Sequence, residues 1–298
     1  MELKDMLIKL NRNWGVSSKS KFTLEDTSLI ITLDEVAVSS NMQNNEAAFE
    51  AWAICLKTHL KDNIKNVIIR FDESIKLVKM DSNHERHLNR CLYRLDKFRK
   101  LFSWVTLDKE IETMIPNYSE MDLLLNFPIS KAQTPKKTDS EAALERKLVA
   151  ENPLTMEIID HQMPIGVFKG EVSEDNIYMN SRKAALDLWG IKGGELFLYE
   201  LKKVGYKPIG IISELLFYTN IFNDVRKGII SYPSESCKCT LRHFQEFRQI
   251  LTRNEPLKIN SVFIAPKLHP MITDEVIKTI NDSEYLRDNK ISLSIRLI

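Results

Sequence analysis

Two acidic residues and a lysine near the middle of the chain have the types and the spacing for metal-assisted hydrolysis of a phosphate ester. Asp187 lies in the segment ALDLWGI, and Glu200 and Lys202 lie in the segment ELFLYELKK. Gly193-Gly194 stands between the two segments, and such a pair favours a two-residue hairpin because turns of types I′ and II′ need positive φ. Asp187 precedes Gly193 by as many residues as Glu200 follows Gly194. The spacing therefore predicts that Asp187 faces Glu200 across the hairpin.

Charge on this hairpin needs an explanation, because the surrounding residues are apolar. Opposed residues of a hairpin point to the same face, and Lys202, two residues beyond Glu200, shares that face. Buried charges are unfavourable unless they are paired or bind a metal. The apolar neighbours that predict burial of both faces are Leu186, Leu188, Phe197, Leu198 and Leu201.

A divalent cation between Asp187 and Glu200 would remove the repulsion between the two carboxylates. Hard oxygen ligands favour Mg²⁺, for which Mn²⁺ can substitute, and Mg²⁺ takes its remaining contacts from water and phosphate. Lys202 could orient or deprotonate a water molecule, or stabilise charge on the phosphate. The simpler alternative is a solvated edge strand on which Glu200 and Lys202 form a surface pair of little energetic value.

The hairpin resembles the PD-(D/E)XK nuclease superfamily, whose members have the restriction-endonuclease-like fold. Asp187 matches the first acidic position of that motif, and Glu200-Leu201-Lys202 matches the (D/E)-x-K. The segment IGIISELLFYTNIF resembles the helix that follows the motif, and it has Glu214 where the family more often has Gln. The segment EAALERKLVAENP resembles the helix before the sheet, with Glu145 as a further acidic site residue and Glu141 one turn earlier.

The resemblance covers residues 138 to 266 and implies a metal-dependent nuclease that hydrolyses phosphodiester bonds of DNA. It implies that Asp187 and Glu200 hold Mg²⁺, that Lys202 positions the attacking water, and that Glu145 and Glu214 complete the site. The residue before Asp187 is leucine instead of proline, a departure that the family tolerates. The alternative is a catalytically inactive nuclease-fold module that serves as a nucleic-acid-binding or protein-interaction scaffold.

The elements around this motif predict an α/β protein with a restriction-endonuclease-like mixed-sheet core and a smaller N-terminal α/β domain. Residues 127–141 are rich in Pro, Ser, Thr and Lys, which is typical of a linker. We therefore expect an N-terminal domain of unknown role at 1–128 and the nuclease-like domain at 138–298. Predicted strands cover 28–38, 66–71, 164–172, 259–266 and 291–298, and predicted helices cover 46–60, 87–105, 139–150, 208–224 and 273–282.

The helix predicted at 87–105 adds a second candidate surface. Arg86, Arg90, Arg94 and Lys97 form a basic stripe along it, opposite an apolar face. Such a stripe is either a solvated helix face or a site for phosphates. A third interpretation gives the main activity to the N-terminal domain, and this stripe is the feature that favours it.

Composition limits the remaining classes of function. The 298 residues carry a formal net charge of +1, so any basic surface for DNA must be local. Four cysteines include a C-x-C at 237–239 that cannot complete a zinc site alone, and free thiols in a reducing cytoplasm are expected. Neither a signal peptide nor a membrane span is predicted, which favours a cytoplasmic protein without a membrane partner. A homodimer is compatible with cleavage of both DNA strands.

Overall fold

A computed structural model describes residues 21–73, 75, 82–125, 141–179, 184–202, 208–232, 243–253 and 257–297. The chain forms two compact units that alternate along the sequence. The first unit comprises Met1–Pro116, Lys207–Glu214 and Leu268–Arg287, and the second comprises Asn117–Tyr206, Leu215–Lys267 and Asp288–Ile298. Nearly all of the predicted linker at 127–141 lies outside the described residues, so the domain limits 1–128 and 138–298 stay a prediction.

The described elements are those of a mixed α/β protein. The helices are α1 (Glu35–Ser39), α2 (Phe49–Leu60), α3 (Ser82–Leu101), α4 (Lys109–Met114), α5 (Glu141–Glu151), α6 (Ile211–Arg226), α7 (Phe244–Thr252), α8 (Asp274–Asn281) and α9 (Glu284–Asp288). The strands are β1 (Lys21–Glu25), β2 (Ser28–Leu33), β3 (Asn66–Phe71), β4 (Val105–Leu107), β5 (Leu123–Leu125), β6 (Ile158–Pro164), β7 (Val167–Lys169), β8 (Ala185–Lys192), β9 (Glu195–Leu201), β10 (Ile230–Ser231), β11 (Ile259–Ala265) and β12 (Ile291–Leu297).

The first unit contains a four-stranded sheet in the order β1-β2-β3-β4. Strand β1 runs antiparallel to β2, whereas β2, β3 and β4 are parallel. The strand predicted at 28–38 ends at Leu33, because the Asp34 side chain accepts a hydrogen bond from Ala37 N at 2.9 Å and caps α1. The helix predicted at 87–105 is α3, which begins earlier and ends at Leu101.

The basic stripe on α3 is neither a solvated face nor a phosphate site at its central positions. Arg94 is 3 % exposed, and its Nε donates to Glu50 Oε1 at 2.8 Å. Lys97 is also buried, and its ammonium lies 4.9 Å from the centre of the Tyr93 ring. Both interpretations of the stripe are therefore wrong for Arg94 and Lys97, since these side chains form internal contacts of the first unit.

The second unit contains a five-stranded mixed sheet in the order β12-β11-β9-β8-β6. Strands β12, β11 and β9 are parallel, and β9, β8 and β6 follow one another in antiparallel pairs. A separate three-stranded sheet has the order β10-β5-β7. The strand predicted at 164–172 is divided between the end of β6 and the short β7, and most of β6 was not predicted.

Both faces of the five-stranded sheet are covered in the region of the hairpin, as its apolar residues predict. On one face, Leu148 of α5 belongs to a buried cluster with Leu188, Tyr199 and Leu201. On the other face, the Trp189 ring lies 4.5 Å from the Phe247 ring, centre to centre. The candidate site lies on this second face, because Asp187 and Trp189 are alternate residues of β8.

Candidate active site

The hairpin that positions Asp187 and Glu200 has the predicted turn and the predicted register. Gly193 and Gly194 have φ values of 58° and 69°, in the left-handed region that glycine adopts without strain. Pairing runs from Lys192↔Glu195 to Leu188↔Tyr199. The observed pairs have the predicted register, and the ladder ends one position before Asp187 and Glu200, whose opposition stays a prediction. Continuation of this register by one position would bring the two carboxylates to one face of the sheet.

Asp187 is bound to the neighbouring strand through its side chain. Its Oδ2 accepts a hydrogen bond from Leu201 N at 2.8 Å, and the carboxylate is half-buried. The contact crosses from β8 to β9 beyond the last backbone pair of the hairpin. It fixes the Asp187 carboxylate against the segment that carries Glu200 and Lys202.

Glu200 and Lys202 form a buried ion pair on a central strand. Lys202 Nζ donates to Glu200 Oε1, and each of the two side chains is 2 % exposed. Lys202 N donates to Ile264 O on β11 at 2.9 Å, so the backbone continues the sheet at this point. The alternative of a solvated edge pair is wrong, because β9 lies between β8 and β11 and both charges are excluded from water.

Glu145 lies in the second unit, where α5 places it beside an edge strand. It is 3 % exposed, and its Oε2 accepts a hydrogen bond from Gln162 Nε2 at 2.8 Å. Gln162 lies in β6, the outermost strand next to β8. A buried carboxylate needs such donors, because loss of its hydration is otherwise uncompensated.

Glu214 belongs to the first unit, whereas the other four predicted site residues belong to the second. Its Oε1 accepts a hydrogen bond from Gln43 Nε2 at 2.7 Å, and the neighbouring Ser213 Oγ accepts from Ala51 N at 3.3 Å. The described contacts therefore give Glu214 a partner within its own unit. Its role as a fifth site residue stays a prediction.

Asp187 and Glu200 would provide two carboxylates, which is within the number of protein ligands that Mg²⁺ commonly has. Mg²⁺ commonly takes one or two carboxylates and completes its coordination with water and phosphate. A carboxylate has about four acceptor sites, so one hydrogen bond to Asp187 or Glu200 does not prevent coordination. Within the described residues, no group of three or more His, Cys, Asp or Glu side chains is arranged to hold a metal ion. A Mg²⁺ ion at the hairpin would take Asp187 and Glu200 as protein ligands and complete its coordination with water and phosphate.

Two polar residues beside the site were missed by sequence reasoning. Gln162 contacts Glu145, and the buried Asp160 Oδ1 lies 3.0 Å from His161 Nδ1. Both Gln162 and Asp160 lie in β6, whose sequence IIDHQMP lacks the alternation of apolar and polar residues typical of a half-buried strand. Nothing in the local sequence identified them.

Comparison with known proteins does not assign the chain to a family. The chain matches no family model, and the comparisons with curated proteins and with solved structures gave no match either. Among the described helices, none combines the length and the apolar character required to span a membrane. The geometry of the hairpin is therefore the basis on which a function is proposed.

Proposed function

We propose that this protein is a metal-dependent nuclease that hydrolyses phosphodiester bonds of DNA, with Asp187, Glu200 and Lys202 at its active site. The observation that carries the proposal is the hairpin register, which is paired to within one position of Asp187 and Glu200 on adjacent central strands. The buried ion pair of Glu200 with Lys202 supports it. The chain order of α5, the β8–β9 hairpin and α6 supports the proposal, since it is the order that the nuclease resemblance implies.

Asp187 and Glu200 are the residues that would hold Mg²⁺. When bound there, Mg²⁺ would polarise the scissile phosphate and lower the pKa of a coordinated water. The Leu201 N–H keeps the Asp187 carboxylate against β9, so that little side-chain freedom is lost when a ligand binds. Trp189, the next residue of β8 on this face, is fully buried and limits the access of water from that side.

Lys202 supplies positive charge where negative charge would develop on the phosphate. Its ammonium is held beside Glu200 at 2 % exposure. Electrostatic interactions are stronger in such a place than in water, because the effective dielectric constant is lower. A lysine positioned before the reaction stabilises the transition state without reorganising during it. DNA as the substrate rests on the resemblance of the Glu200-Leu201-Lys202 motif.

One observation favours the alternative of an inactive nuclease-fold module. Glu200 and Lys202 neutralise each other inside the unit, so this part of the site is electrostatically complete without a ligand. A scaffold that binds nucleic acid or another protein would use the outer surface of the fold and leave this pair undisturbed. The two functions differ in whether a divalent cation binds at Asp187.

Cleavage and metal binding should be measured together on the full chain. The test variant is Asp187→Asn, which keeps the shape of the side chain, and the control is Glu195→Gln at the other end of the same hairpin. We expect Asp187→Asn to reduce Mg²⁺-dependent nicking of supercoiled plasmid by at least about 100-fold and to weaken Mn²⁺ binding in calorimetry by about 10- to 100-fold. Glu195→Gln should change neither.

The outcomes separate the two candidate functions. If the wild-type protein nicks the plasmid and Asp187→Asn nicks it equally well, the assignment of the site is refuted. Absence of both nicking and Mn²⁺ binding in the wild-type protein would favour the inactive module. Circular dichroism of each variant shows whether a loss of nicking reflects a loss of structure.

A further inference from the structure

We propose that the hairpin end of the five-stranded sheet is a surface that binds the phosphate backbone of duplex DNA. This inference deepens the proposed function and rests on it for the identity of the ligand. Strands β9, β11 and β12 are parallel and begin at this end of the sheet. The surface, which we name the basic end, consists of four residues at or beside these strand starts: Lys192, Arg253, Lys258 and Lys290.

The three lysines of the basic end are brought together by contacts at the strand starts. Lys192 pairs with Glu195 across the hairpin turn, and Lys258 Nζ lies 3.1 Å from Glu195 Oε2. Ile259 N donates to Lys290 O at 3.0 Å, so Lys258 and Lys290 stand beside each other at the starts of β11 and β12. Each of the three lysines is exposed. Their ammonium groups can therefore reach a ligand in solvent.

Arg253 adds a guanidinium at the hairpin turn. Its Nη1 lies 3.2 Å from the position that a Cβ on Gly194 would take, so the arginine lies against the turn. Its Nε is buried and has no hydrogen-bond partner among the residues that the structure describes. A buried donor without an acceptor is unfavourable. Phosphate oxygens are acceptors that a guanidinium binds well, so a DNA phosphate would suit this residue.

The backbone that carries Lys258 and Lys290 is fixed by a single side chain. Arg226, in the last turn of α6, donates to Leu257 O and to Asn289 O. These two carbonyl groups belong to the residues immediately before Lys258 and Lys290. The lysines therefore extend from strand starts that are already ordered, which reduces the conformational entropy lost when a ligand binds.

Positive charge is in excess at the basic end. The acidic residues in or beside the same segments are Glu157, Glu195 and Asp288, which are fewer than the basic residues, namely Lys192, Arg226, Lys227, Arg253, Lys258 and Lys290. The Lys258–Glu195 pair has side chains that are 47 % and 35 % exposed, so it is weak and a phosphate can replace its carboxylate. Since the whole chain has a formal net charge of only +1, a local excess is what a DNA-binding surface requires.

The basic end is separate from the proposed catalytic residues. Glu195 and Glu200 are five residues apart on β9, which corresponds to roughly 16 Å at about 3.3 Å per residue. B-form DNA covers that distance in about five base pairs. Contacts to phosphates position a protein on the duplex without reading its sequence. The basic end should therefore supply affinity for DNA, and the chemical step is left to the residues at the other end of β9.

Salt-dependent DNA binding by the full chain tests this inference. The test variant combines three substitutions at exposed positions of the basic end: Lys192→Gln, Lys258→Gln and Lys290→Gln. The control variant makes the same change of charge at three exposed lysines elsewhere in the second unit: Lys147→Gln, Lys169→Gln and Lys267→Gln. The probe is a fluorescein-labelled DNA duplex of about 20 base pairs, followed by fluorescence anisotropy in EDTA so that no metal-dependent cleavage occurs.

The test variant should bind the duplex about 10- to 100-fold more weakly than the wild-type protein at about 0.1 M salt. Each phosphate contact contributes about 0.9 to the slope of log affinity against log salt, so this slope should fall by about 2 to 3. The control variant should stay within about twofold of the wild-type affinity, because its lysines lie outside the basic end. If the triple variant does not fold by circular dichroism, Lys290→Gln alone should lower the slope by about 1.

Three results would overturn the inference: no binding of the duplex by the wild-type protein, unchanged affinity and slope in the test variant, or an equal loss in the control variant. Failure of the proposed function has a different signature. Binding of the duplex through the basic end without Mg²⁺-dependent nicking would refute the nuclease function and leave this inference intact. Nicking that Asp187→Asn abolishes, together with unchanged DNA binding by the test variant, would refute this inference alone.

Discussion

Replacement of Lys202 by methionine should destabilise the protein strongly, because it leaves Glu200 buried without its cation. Methionine keeps most of the volume of the lysine stem, so the perturbation is the loss of charge. Both members of the pair are 2 % exposed. Removal of one partner from a buried ion pair costs about 3–5 kcal/mol. A domain has about 5–15 kcal/mol of stability, so Lys202→Met should lose a large part of it.

Urea denaturation followed by circular dichroism measures this loss as a difference in the free energy of unfolding. The matched control is Lys258→Met, which removes the partner of Glu195 at the opposite end of β9. The side chains of that pair are 47 % and 35 % exposed, so its loss should cost less than about 1 kcal/mol. The double variant Glu200→Gln/Lys202→Met should recover most of the lost stability, since no buried charge remains.

Two results would refute this reasoning about the Glu200–Lys202 pair. A loss in Lys202→Met no larger than that in Lys258→Met would show that water or another group compensates Glu200. A double variant as unstable as Lys202→Met would show that packing of the lysine stem, and not charge, dominates. Cleavage assays of Lys202 variants must be compared at equal folded fraction, because the expected destabilisation would lower activity by itself.

Two further predictions concern the first unit. A Cβ at Gly210 would lie 2.5 Å from the carbonyl oxygens of Met42 and Gln43. Gly210→Ala should therefore lower the free energy of unfolding by about 1–3 kcal/mol. An unchanged midpoint of urea denaturation would contradict this prediction. Burial lowers the pKa of His269 from its usual 6.5, so below that pH the unfolded chain binds a proton more readily than the folded chain. Stability should therefore fall as the pH falls through 6.5 toward the folded pKa of His269, and His269→Gln should reduce this slope in denaturation measured between pH 7 and pH 5. An identical slope in the variant would exclude His269 as the source.

The hairpin could be predicted because its determinants are local. Positive φ at Gly193 and Gly194 sets the turn, and the period of two along each strand then sets which residues oppose. Asp187 and Glu200 follow from these two rules without knowledge of the rest of the chain. The same holds for β3, where a β-branched and apolar run gives the observed bounds of Asn66–Phe71.

Strand β6 could not be predicted, because its conformation depends on a partner distant in sequence. Asp160, His161 and Gln162 interrupt its apolar residues, and their strand state comes from pairing with β8. The periodicity of apolar residues indicates which face of an element is buried. It does not show which polar residues form hydrogen bonds with neighbouring elements. The contact between Gln162 and Glu145 could not be predicted from the sequence for this reason.

The burial of Arg94 shows a related limit. The sequence identifies a basic stripe on α3, but it does not show that Glu50 of α2 receives the Arg94 guanidinium. A charged side chain is usually exposed unless a partner is provided, and that partner is defined by tertiary structure. Glu214 is similar: its helix was predicted, and its hydrogen bond with Gln43 depends on the packing of the first unit.

The alternation of the two units along the chain constrains how the protein is made and divided. Neither unit is one continuous stretch, and α6 begins in the first unit and continues in the second. No single cut would release an intact half, so a fragment that ends after residue 116 would lack two segments of its own unit. During synthesis, the first unit must wait for Leu268–Arg287 and the second for Asp288–Ile298 to leave the ribosome. Completion of either unit therefore requires segments that follow residue 267.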